Sequence, residues 1–323
     1  MDVLIEKSLL TIGTYNHIEM HDLIREMAWE IVRQESIEEP AWYIIDMNVE
    51  LTYIDSELIS GNSIKGIRLC LSELEEADST WNYESLSNML SLRHLEFDNL
   101  ITSSGPKFLP NSLRVLRWSW FPSKSLPASY SPNLLTELKM ENSKLVQLWD
   151  GRLDLPTLKY MDLRNSKNLI KTPDVTGIPN LEVLELQYCT HLVKIHPSLA
   201  IHKRLKHLEL VGCKRIKNLP SEIEMDSLEL LGLGGCSKVK TVPEFGSRMK
   251  SLYRLKLSGT AIGRIPSSVG HLVGLVDLEL SDCNNLVSLP GSMVDNLKSL
   301  KYPHMNDCSK LDKLPENLGK MES

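Results

Sequence analysis

The 323-residue sequence predicts an α/β solenoid, a curved parallel sheet preceded by a small helical unit, and two observations lead to this prediction. The first is a pattern of spaced leucines that recurs from Leu92 to the end of the chain. The second is a hairpin-and-helix pattern in the first 36 residues, which lies outside that recurrence. A solenoid follows because one such unit cannot bury its apolar face alone and must stack on its neighbours.

The recurring pattern is L-x-x-L-x-L-x-x-(C/T), followed by one apolar residue and then by a second one just before a proline. LEVLELQYCTHLVKIHP (181–197) and LKHLELVGCKRIKNLP (205–220) show it clearly. Units 1 to 10 begin 21 to 25 residues apart, at Leu92, Leu113, Leu135, Leu158, Leu181, Leu205, Leu228, Leu252, Leu275 and Leu300. This spacing and composition define a leucine-rich-repeat solenoid with a curved parallel sheet.

Each unit is expected to contribute one short strand to the concave side. The last two leucines of the pattern point into the core, and the residue between them points away from it. Strands of successive units should lie about 4.8 Å apart and bury a continuous row of leucines. The repeats are assigned to residues 92–323, with a leading segment at 64–91 and a divergent linker at 41–63.

Cysteines recur at one position of the repeat, where the chain leaves the strand. Three of them, Cys189, Cys213 and Cys236, belong to consecutive units, and this raises the alternative of a metal site. No close Cys-x-x-Cys pair or flanking histidine set accompanies them, as zinc would require. We therefore expect small, buried, reduced side chains that fill a turn; the other members are Cys283 and Cys308.

The concave surface is the candidate partner-binding face. Its outward positions alternate in charge, as on an ordinary solvated sheet, but three features depart from that pattern. Two glutamates are stacked, one unit has glycines in place of side chains, and two tryptophans lie near the first strands. An extended curved surface suits a protein or peptide better than a small molecule. The candidate residues are Trp118, Trp120, Glu185, Gln187, Glu209, Gly232, Gly234, Lys256 and Glu279.

The first residues predict a β-hairpin followed by an amphipathic helix. Residues 6–12 and 17–20 alternate around a Gly/Asn turn, and apolar residues with helical spacing continue to Ser36. Met20, His21 and Asp22 stand at the head of this helix. On these residues alone, Asp22 could simply cap the helix and His21 could be an ordinary surface residue.

These segments resemble plant disease-resistance receptors of the class with a Toll/interleukin-receptor domain (TIR-NB-LRR). LIEKSLLTI and IEMHDLIREMAWEIVRQES resemble the end of that family's nucleotide-binding (NB-ARC) region, and IKGIRLCLSE resembles its approach to the repeats. The resemblance assigns residues 1–40 to a winged-helix remnant. Residues 41–63 lack the family's usual Arg-Leu-Trp element, and Ala28-Trp29 departs from its Gly-containing turn.

The resemblance implies that His21, within Met20-His21-Asp22, contacts the diphosphate of ADP in a full-length receptor and helps to keep that receptor inactive. Asp22 would orient the His21 side chain. ADP or ATP would thus be a cofactor of the full-length family. This chain has no Gly-x-x-x-x-Gly-Lys-Ser/Thr loop, since Gly61 and Gly66 are followed by Ile67-Arg68. We therefore expect no cofactor and no useful nucleotide affinity in this chain alone.

Bulk properties and missing motifs narrow the function classes. The net charge of −6, with both signs spread along the chain, disfavours nucleic acid as a partner. No 18-residue apolar run, leader pattern or Asn-x-Ser/Thr sequon occurs, which favours a cytoplasmic or nuclear protein over a receptor ectodomain. Hydrolase and metalloprotease motifs are missing, and His17 with His21 lacks a third ligand, so no enzyme is expected.

The leading interpretation is an immune-receptor fragment for defence signalling. Its repeats would bind a pathogen-derived effector or a guarded host protein and would restrain the NB-ARC switch within the same receptor. A free-standing interaction adaptor and a non-functional truncated gene product are the alternatives. Unit 10 lacks a polar capping unit, so we also expect association through that end.

Overall fold

The computed structural model describes residues 10–12, 18–20, 42–46, 64–76, 83–301, 304–312 and 314–315. Its first two strands, β1 (Leu10–Ile12) and β2 (Ile18–Met20), pair antiparallel, with Leu10 opposite Met20. This pairing confirms the hairpin predicted for the first 20 residues. The helix expected after it lies outside the described residues.

A parallel sheet of eleven strands dominates the described part of the chain. Its strands are β3 (Trp42–Asp46), β4 (Gly66–Glu76), β5 (His94–Ile101), β6 (Val115–Trp118), β7 (Glu137–Lys139), β8 (Tyr160–Asp162), β9 (Val183–Glu185), β10 (His207–Glu209), β12 (Leu230–Gly232), β14 (Arg254–Lys256) and β15 (Asp277–Glu279). Each strand pairs with the next in this order, so the strands of the sheet follow the order of the chain. The solenoid predicted from the leucine spacing is confirmed.

Units 1 to 9 each supply one strand, from β5 to β15, and unit 10 adds a single bridge between Glu279 and His304. The sheet also extends in the other direction, because β4 pairs with β5 and β3 pairs with β4. Strand β3 falls in the segment that carries no repeat pattern, with Trp42 opposite Gly66. Side-by-side pairing therefore continues beyond the segment where the leucine spacing can be recognised.

The leucines form the core in the predicted register. Leu184, Leu208 and Leu231 occupy equivalent positions of three adjacent strands and are at most 5% exposed. Burying a leucine side chain contributes roughly 2 kcal/mol, and each unit repeats this contribution. Because every leucine lies against those of the units before and after it, the stabilisation belongs to the stack.

Every unit has a left-handed residue at the same position, just after the core-facing leucines. The residue seven positions after the start of each unit has a positive φ, and the ten are Asn99, Trp120, Asn142, Asn165, Tyr188, Gly212, Gly235, Gly259, Asp282 and Asp307. Gly, Asn and Asp adopt this conformation at little cost. Trp120 and Tyr188 are the two bulky exceptions, with φ values of 62° and 60°.

The cysteine position follows directly and turns the chain inward, as predicted. Cys189, Cys213, Cys236 and Cys283 are buried, and each thiol lies 3.1–3.2 Å from the carbonyl oxygen of a core leucine. Burial raises the pKa of Cys189 and of Cys236 to about 12. Such thiols are neutral at physiological pH.

The return side of the solenoid varies from unit to unit. In the described part of the chain it contains 3₁₀ helices at Tyr83–Asn88, Pro197–Ile201 and Ser267–His271, and an α-helix, α1 (Gly291–Asn296). Two short strands, β11 (Glu222–Ile223) and β13 (Glu244–Phe245), pair parallel there. None of the described helices combines the length and the apolar character needed to cross a bilayer.

Candidate protein-binding surface

The concave surface is built from three columns of side chains. The residues at offsets two, four and six from each unit start all point away from the leucine core, since strand residues alternate. In unit 6 these are His207, Glu209 and Val211. The columns at offsets four and six were predicted from the pattern of leucines. The column at offset two was not, although the same alternation of strand residues could have identified it.

The first units carry an ion-pair network on this surface. Arg117 lies 2.8 Å from Glu137 (Nε to Oε1) and 3.6 Å from Glu96 (Nη1 to Oε2). Burial opposes ionisation of Glu96, but the hydrogen bond with His94 and the charges of Arg117 and Arg68 lower its pKa to about 2. The charges in this region therefore pair with one another and lie ordered on the sheet.

Unit 4 continues this network around Asp162, whose side chain is fully buried. The Arg164 guanidinium donates to Asp162 at 2.7 Å (Nη2 to Oδ2) and to Glu141 at 2.9 Å (Nη2 to Oε1). Tyr160 lies beside them with its ring under the Lys139 ammonium, 5.0 Å from the ring centroid. Burial, and then the charge of Asp162, raise the pKa of the Tyr160 hydroxyl.

The stacked glutamates predicted from the sequence are direct neighbours, but they are not solvent-facing. Glu185 and Glu209 are Cα partners of adjacent strands, and each is only 3% exposed. Gln187 donates through Nε2 to Glu185, while Lys256 lies 2.8 Å from Glu209 (Nζ to Oε1). The expectation of two exposed like charges was wrong, because neighbouring side chains cover both carboxylates.

The glycine unit does not leave an open floor either. Lys256 belongs to unit 8 and Glu209 to unit 6, so their ion pair crosses the intervening Gly232. A Cβ at Gly232 would collide with the Glu209 carboxylate. The glycine thus leaves room for a bridge between two units, and that bridge fills the predicted shallow depression. Gly234, two residues further on, is partly exposed.

His207 lies in the offset-two column, opposite Val183 on one side and Leu230 on the other. Its side chain is 7% exposed, and Nε2 lies 3.6 Å from Oε2 of Glu229. Burial, reinforced by the charge of Lys206, lowers the pKa of His207 to about 4. The imidazole is thus neutral above that pH, and almost none of it is exposed on the concave face.

Of the two tryptophans predicted as surface anchors, Trp118 is a core residue. It is fully buried, with its ring edge-on to Phe97 at 4.6 Å and to Phe121 at 5.1 Å between centroids. Its position corresponds to the last leucine of the repeat pattern, which always points inward. Trp120 is partly exposed and occupies the left-handed turn at the edge of the surface.

Tyr188 is the aromatic residue that the sequence reading missed. It occupies the same turn position as Trp120, is 53% exposed, and its ring lies against Gly212 of the next unit. The signal was present in the sequence, since a bulky residue stands where other units have Gly, Asn or Asp. Gln187 and Val211 lie next to it in the offset-six column, both partly exposed.

Other predicted residues have less distinctive surroundings. Glu279 is partly exposed at the end of β15. His21 and Asp22 lie outside the described residues, and Met20 ends β2. In the part of the chain that the structure describes, no group of three or more His, Cys, Asp or Glu side chains is arranged to hold a metal ion.

Comparison with known proteins gives matches over nearly the whole chain. A family model, Disease resistance protein Roq1-like, winged-helix domain, matches residues 1–36. TMV resistance protein N of Nicotiana glutinosa is 33% identical over 99% of this chain and 28% of that protein. Disease resistance protein RPS6 of Arabidopsis thaliana is 30% identical over 97% of this chain and 32% of that protein. The chain thus spans about a third or less of the length of these relatives.

Solved structures share the fold. The Toll–Spätzle complex of Drosophila contains a chain with a TM-score of 0.51 and 15% identity, covering 86% of this chain and 44% of that one. A chain of the octameric complex of latrophilin 3, Unc5D and FLRT2 has a TM-score of 0.50 and 16% identity, covering 88% and 77%. These similarities concern the solenoid alone.

The winged-helix match followed by a repeat solenoid defines a class, the disease-resistance receptors with leucine-rich repeats. Over most of its length, the chain is 30–33% identical to particular members of one family, the TIR-NB-LRR plant disease-resistance proteins.

Proposed function

We propose that this chain is the recognition segment of an immune receptor of the cytoplasm or nucleus, and that its concave surface binds a pathogen-derived or host protein. One observation carries the proposal, the change in character along the concave surface. Units 1 to 4 pair their charges with one another, whereas units 5 and 6 expose Tyr188, Gln187 and Val211. An exposed aromatic beside adaptable polar and aliphatic side chains is typical of a protein contact.

The backbone of Tyr188 supports this proposal. A tyrosine in the left-handed region costs on the order of 1–2 kcal/mol relative to the right-handed conformation, and Gly or Asn would relieve most of that cost. Strain of this kind is often retained at functional positions. Contact of the exposed Tyr188 ring with a partner protein would account for this strain.

The proposal extends to the switch of the full-length receptor. There the repeats would restrain the nucleotide-binding region, and His21 would contact the diphosphate of bound ADP. The support is the winged-helix match over residues 1–36 and the position of His21 in Met20-His21-Asp22. The proposal includes no catalytic step.

Nucleotide binding by the chain alone gives a direct test of the cofactor part. Because the sequence has no phosphate-binding loop, the purified chain should release no ADP on denaturation and give no heat on titration with ADP. Chromatography of the denatured supernatant and calorimetry measure both. Stoichiometric ADP that stays with the protein through purification would contradict this part of the proposal.

Recognition is tested with a display library of pathogen-secreted and host proteins, selected against the purified chain. The paired substitution Tyr188→Asp with Val211→Asp should weaken the selected partner at least tenfold in biolayer interferometry. The matched control is Ile201→Asp with Val273→Asp, which alters two exposed apolar residues of the return side. Two results would refute recognition by the concave surface. One is equal weakening by both pairs of substitutions, and the other is unchanged affinity when Tyr188 and Val211 are substituted.

A further inference from the structure

A basic surface runs along the flank of the solenoid, beside the concave face. In units 3 to 8, the five residues that follow the cysteine position contain ten Lys or Arg and no Asp or Glu. We name these six segments the basic flank: residues 144–148, 167–171, 190–194, 214–218, 237–241 and 261–265. At the chain's average composition, a set of this size would contain about four carboxylates.

The six segments are consecutive layers of one surface. Ile170 donates its backbone N–H to Val146 at 3.0 Å, and Val193 donates to Ile170 at 2.9 Å. Lys171 and Lys194 form a parallel bridge, and Gly263 donates to Lys240. In every segment one apolar residue is fully buried and anchors it to the core; these are Leu145, Leu169, Leu192, Ile216, Val239 and Ile262. The remaining residues of each segment lie around this anchor.

The cations of the basic flank are exposed and almost entirely without ion pairs. Nine are exposed and Lys171 is partly exposed; the others are Lys144, Lys167, Lys194, Lys214, Arg215, Lys217, Lys238, Lys240 and Arg264. Among the described residues, the only carboxylate within 4 Å of any of them is Asp150, 3.7 Å from Lys171. Some lysines and arginines elsewhere on the chain, among them Arg117 and Lys256, do pair with carboxylates.

The charge is also segregated. Outside the basic flank the chain has 26 Lys and Arg against 42 Asp and Glu. The flank is therefore strongly basic, although the protein as a whole carries a net charge of −6. Two like charges 4 Å apart in water repel each other by about 1 kcal/mol, so placing cations on neighbouring layers is unfavourable. Such a field attracts an oppositely charged partner and speeds its association.

Aliphatic side chains interrupt the charge at one end. Ile170 is 45% exposed and Val193 is 38% exposed, and their equivalents in units 6 to 8 are Lys217, Lys240 and Arg264. None of the six segments contains Trp, Tyr or Phe, the side chains on which nucleic-acid bases stack. A polypeptide with aliphatic and acidic residues complements this surface better than a nucleic acid does.

We propose that the basic flank is a second binding surface, distinct from the concave face, and that its ligand is an extended acidic segment of a partner protein with aliphatic residues at one end. Five steps of about 4.8 Å separate the first and last layers. An extended chain of about seven or eight residues covers that length. Its leucine-like end meets Ile170 and Val193, and its carboxylates meet the lysines of units 6 and 7.

The test uses the full chain and a fluorescein-labelled peptide of two leucines followed by six glutamates, measured by fluorescence anisotropy. Binding is expected at low salt and should weaken several-fold between 50 and about 300 mM salt. The triple variant Lys217→Glu, Lys238→Glu, Lys240→Glu should lose at least tenfold in affinity. The matched control Lys107→Glu, Lys250→Glu, Lys298→Glu changes the net charge equally at exposed positions outside the flank and should change affinity less than twofold.

Three results would overturn the proposal. One is no binding of the acidic peptide, and another is equal loss in the two triple variants. The third is tighter binding of a single-stranded 20-mer of thymidine than of the peptide, lost in the flank variant, which would make the flank a nucleic-acid surface. All six substituted lysines are exposed, and thermal denaturation confirms that both variants fold. The concave pair Tyr188→Asp with Val211→Asp should leave peptide binding unchanged.

Discussion

At the scale of single residues, burial decides which concave side chains titrate. His207 is nearly inaccessible, and its pKa of about 4 lies well below the ordinary value of 6.5. A group whose pKa is depressed in the folded state contributes stability above its unfolded pKa and loses it as the pH falls. The window for His207 therefore runs from about pH 6.5 down to pH 4.

His207→Gln should remove this part of the acid sensitivity. Between pH 7 and pH 4, the free energy of unfolding of the original chain should fall by on the order of 2–3 kcal/mol more than that of the variant. Urea denaturation at several pH values measures the difference, and His271→Gln serves as the exposed control. Parallel pH profiles for the chain and the His207 variant would show that His207 is accessible to water.

The cysteine row gives a second prediction at this scale. Burial raises the pKa of Cys189, Cys213, Cys236 and Cys283, so these thiols should resist N-ethylmaleimide in the native protein. Cys308 is the partly exposed member of this row and should react before the other four. Peptide mass spectrometry after timed labelling distinguishes the sites. Rapid native labelling of Cys213 would mean that the turns open easily.

At the scale of the element, the left-handed turn sets the rules for substitution. Gly259 has φ +69°, and a Cβ there would meet its neighbours at ordinary distances of 3.6 Å, so conformation alone decides the cost. Gly259→Asn should change stability by less than about 0.5 kcal/mol, whereas Gly259→Val should cost about 1–2 kcal/mol or more. Chemical denaturation of the two variants measures this. Equal effects of Asn and Val would mean that the turn changes its conformation.

The bridge over Gly232 makes a prediction about two strands at once. Gly232→Ala should displace the Glu209 carboxylate from Lys256 and destabilise the chain by on the order of 1–3 kcal/mol. In a Glu209→Ala background the same change should cost much less, because the collision and the ion pair are already gone. A double-mutant cycle in urea measures this coupling. Additive costs would show that Gly232 is required for another reason.

Sequence reasoning reached the fold because the leucine positions repeat. The register Leu184, Leu208, Leu231 follows directly from unit spacing, and so do the buried cysteines. Trp118 was wrongly predicted to be a surface anchor because it is a tryptophan. Its position, that of the last leucine of the repeat pattern, already identified it as a core residue. The burial of Glu185 and Glu209 could not be predicted from the sequence, since it depends on how neighbouring side chains cover them. Strand β3 carries no repeat signal at all.

At the scale of the whole molecule, the solenoid separates two surfaces with different chemistry. The concave face pairs its charges in the first units and exposes Tyr188 and its neighbours further along. In the described structure, the cations of the basic flank form no ion pair except that of Lys171 with Asp150. Each layer adds one residue to each column, so both surfaces grow with the stack. A partner that reaches from one surface to the other would gain from both, as linked binding events do.

The central claim is that the concave surface around Tyr188 contacts the recognised protein. Site-specific incorporation of a benzophenone amino acid at Gln187, at Lys217 of the basic flank and at Lys250 outside both surfaces tests it most directly. Irradiation with the selected partner and mass spectrometry of the adducts report which surface is in contact. We expect a partner adduct at Gln187 and none at Lys250. Adducts at Lys250 but not at Gln187 would contradict the account.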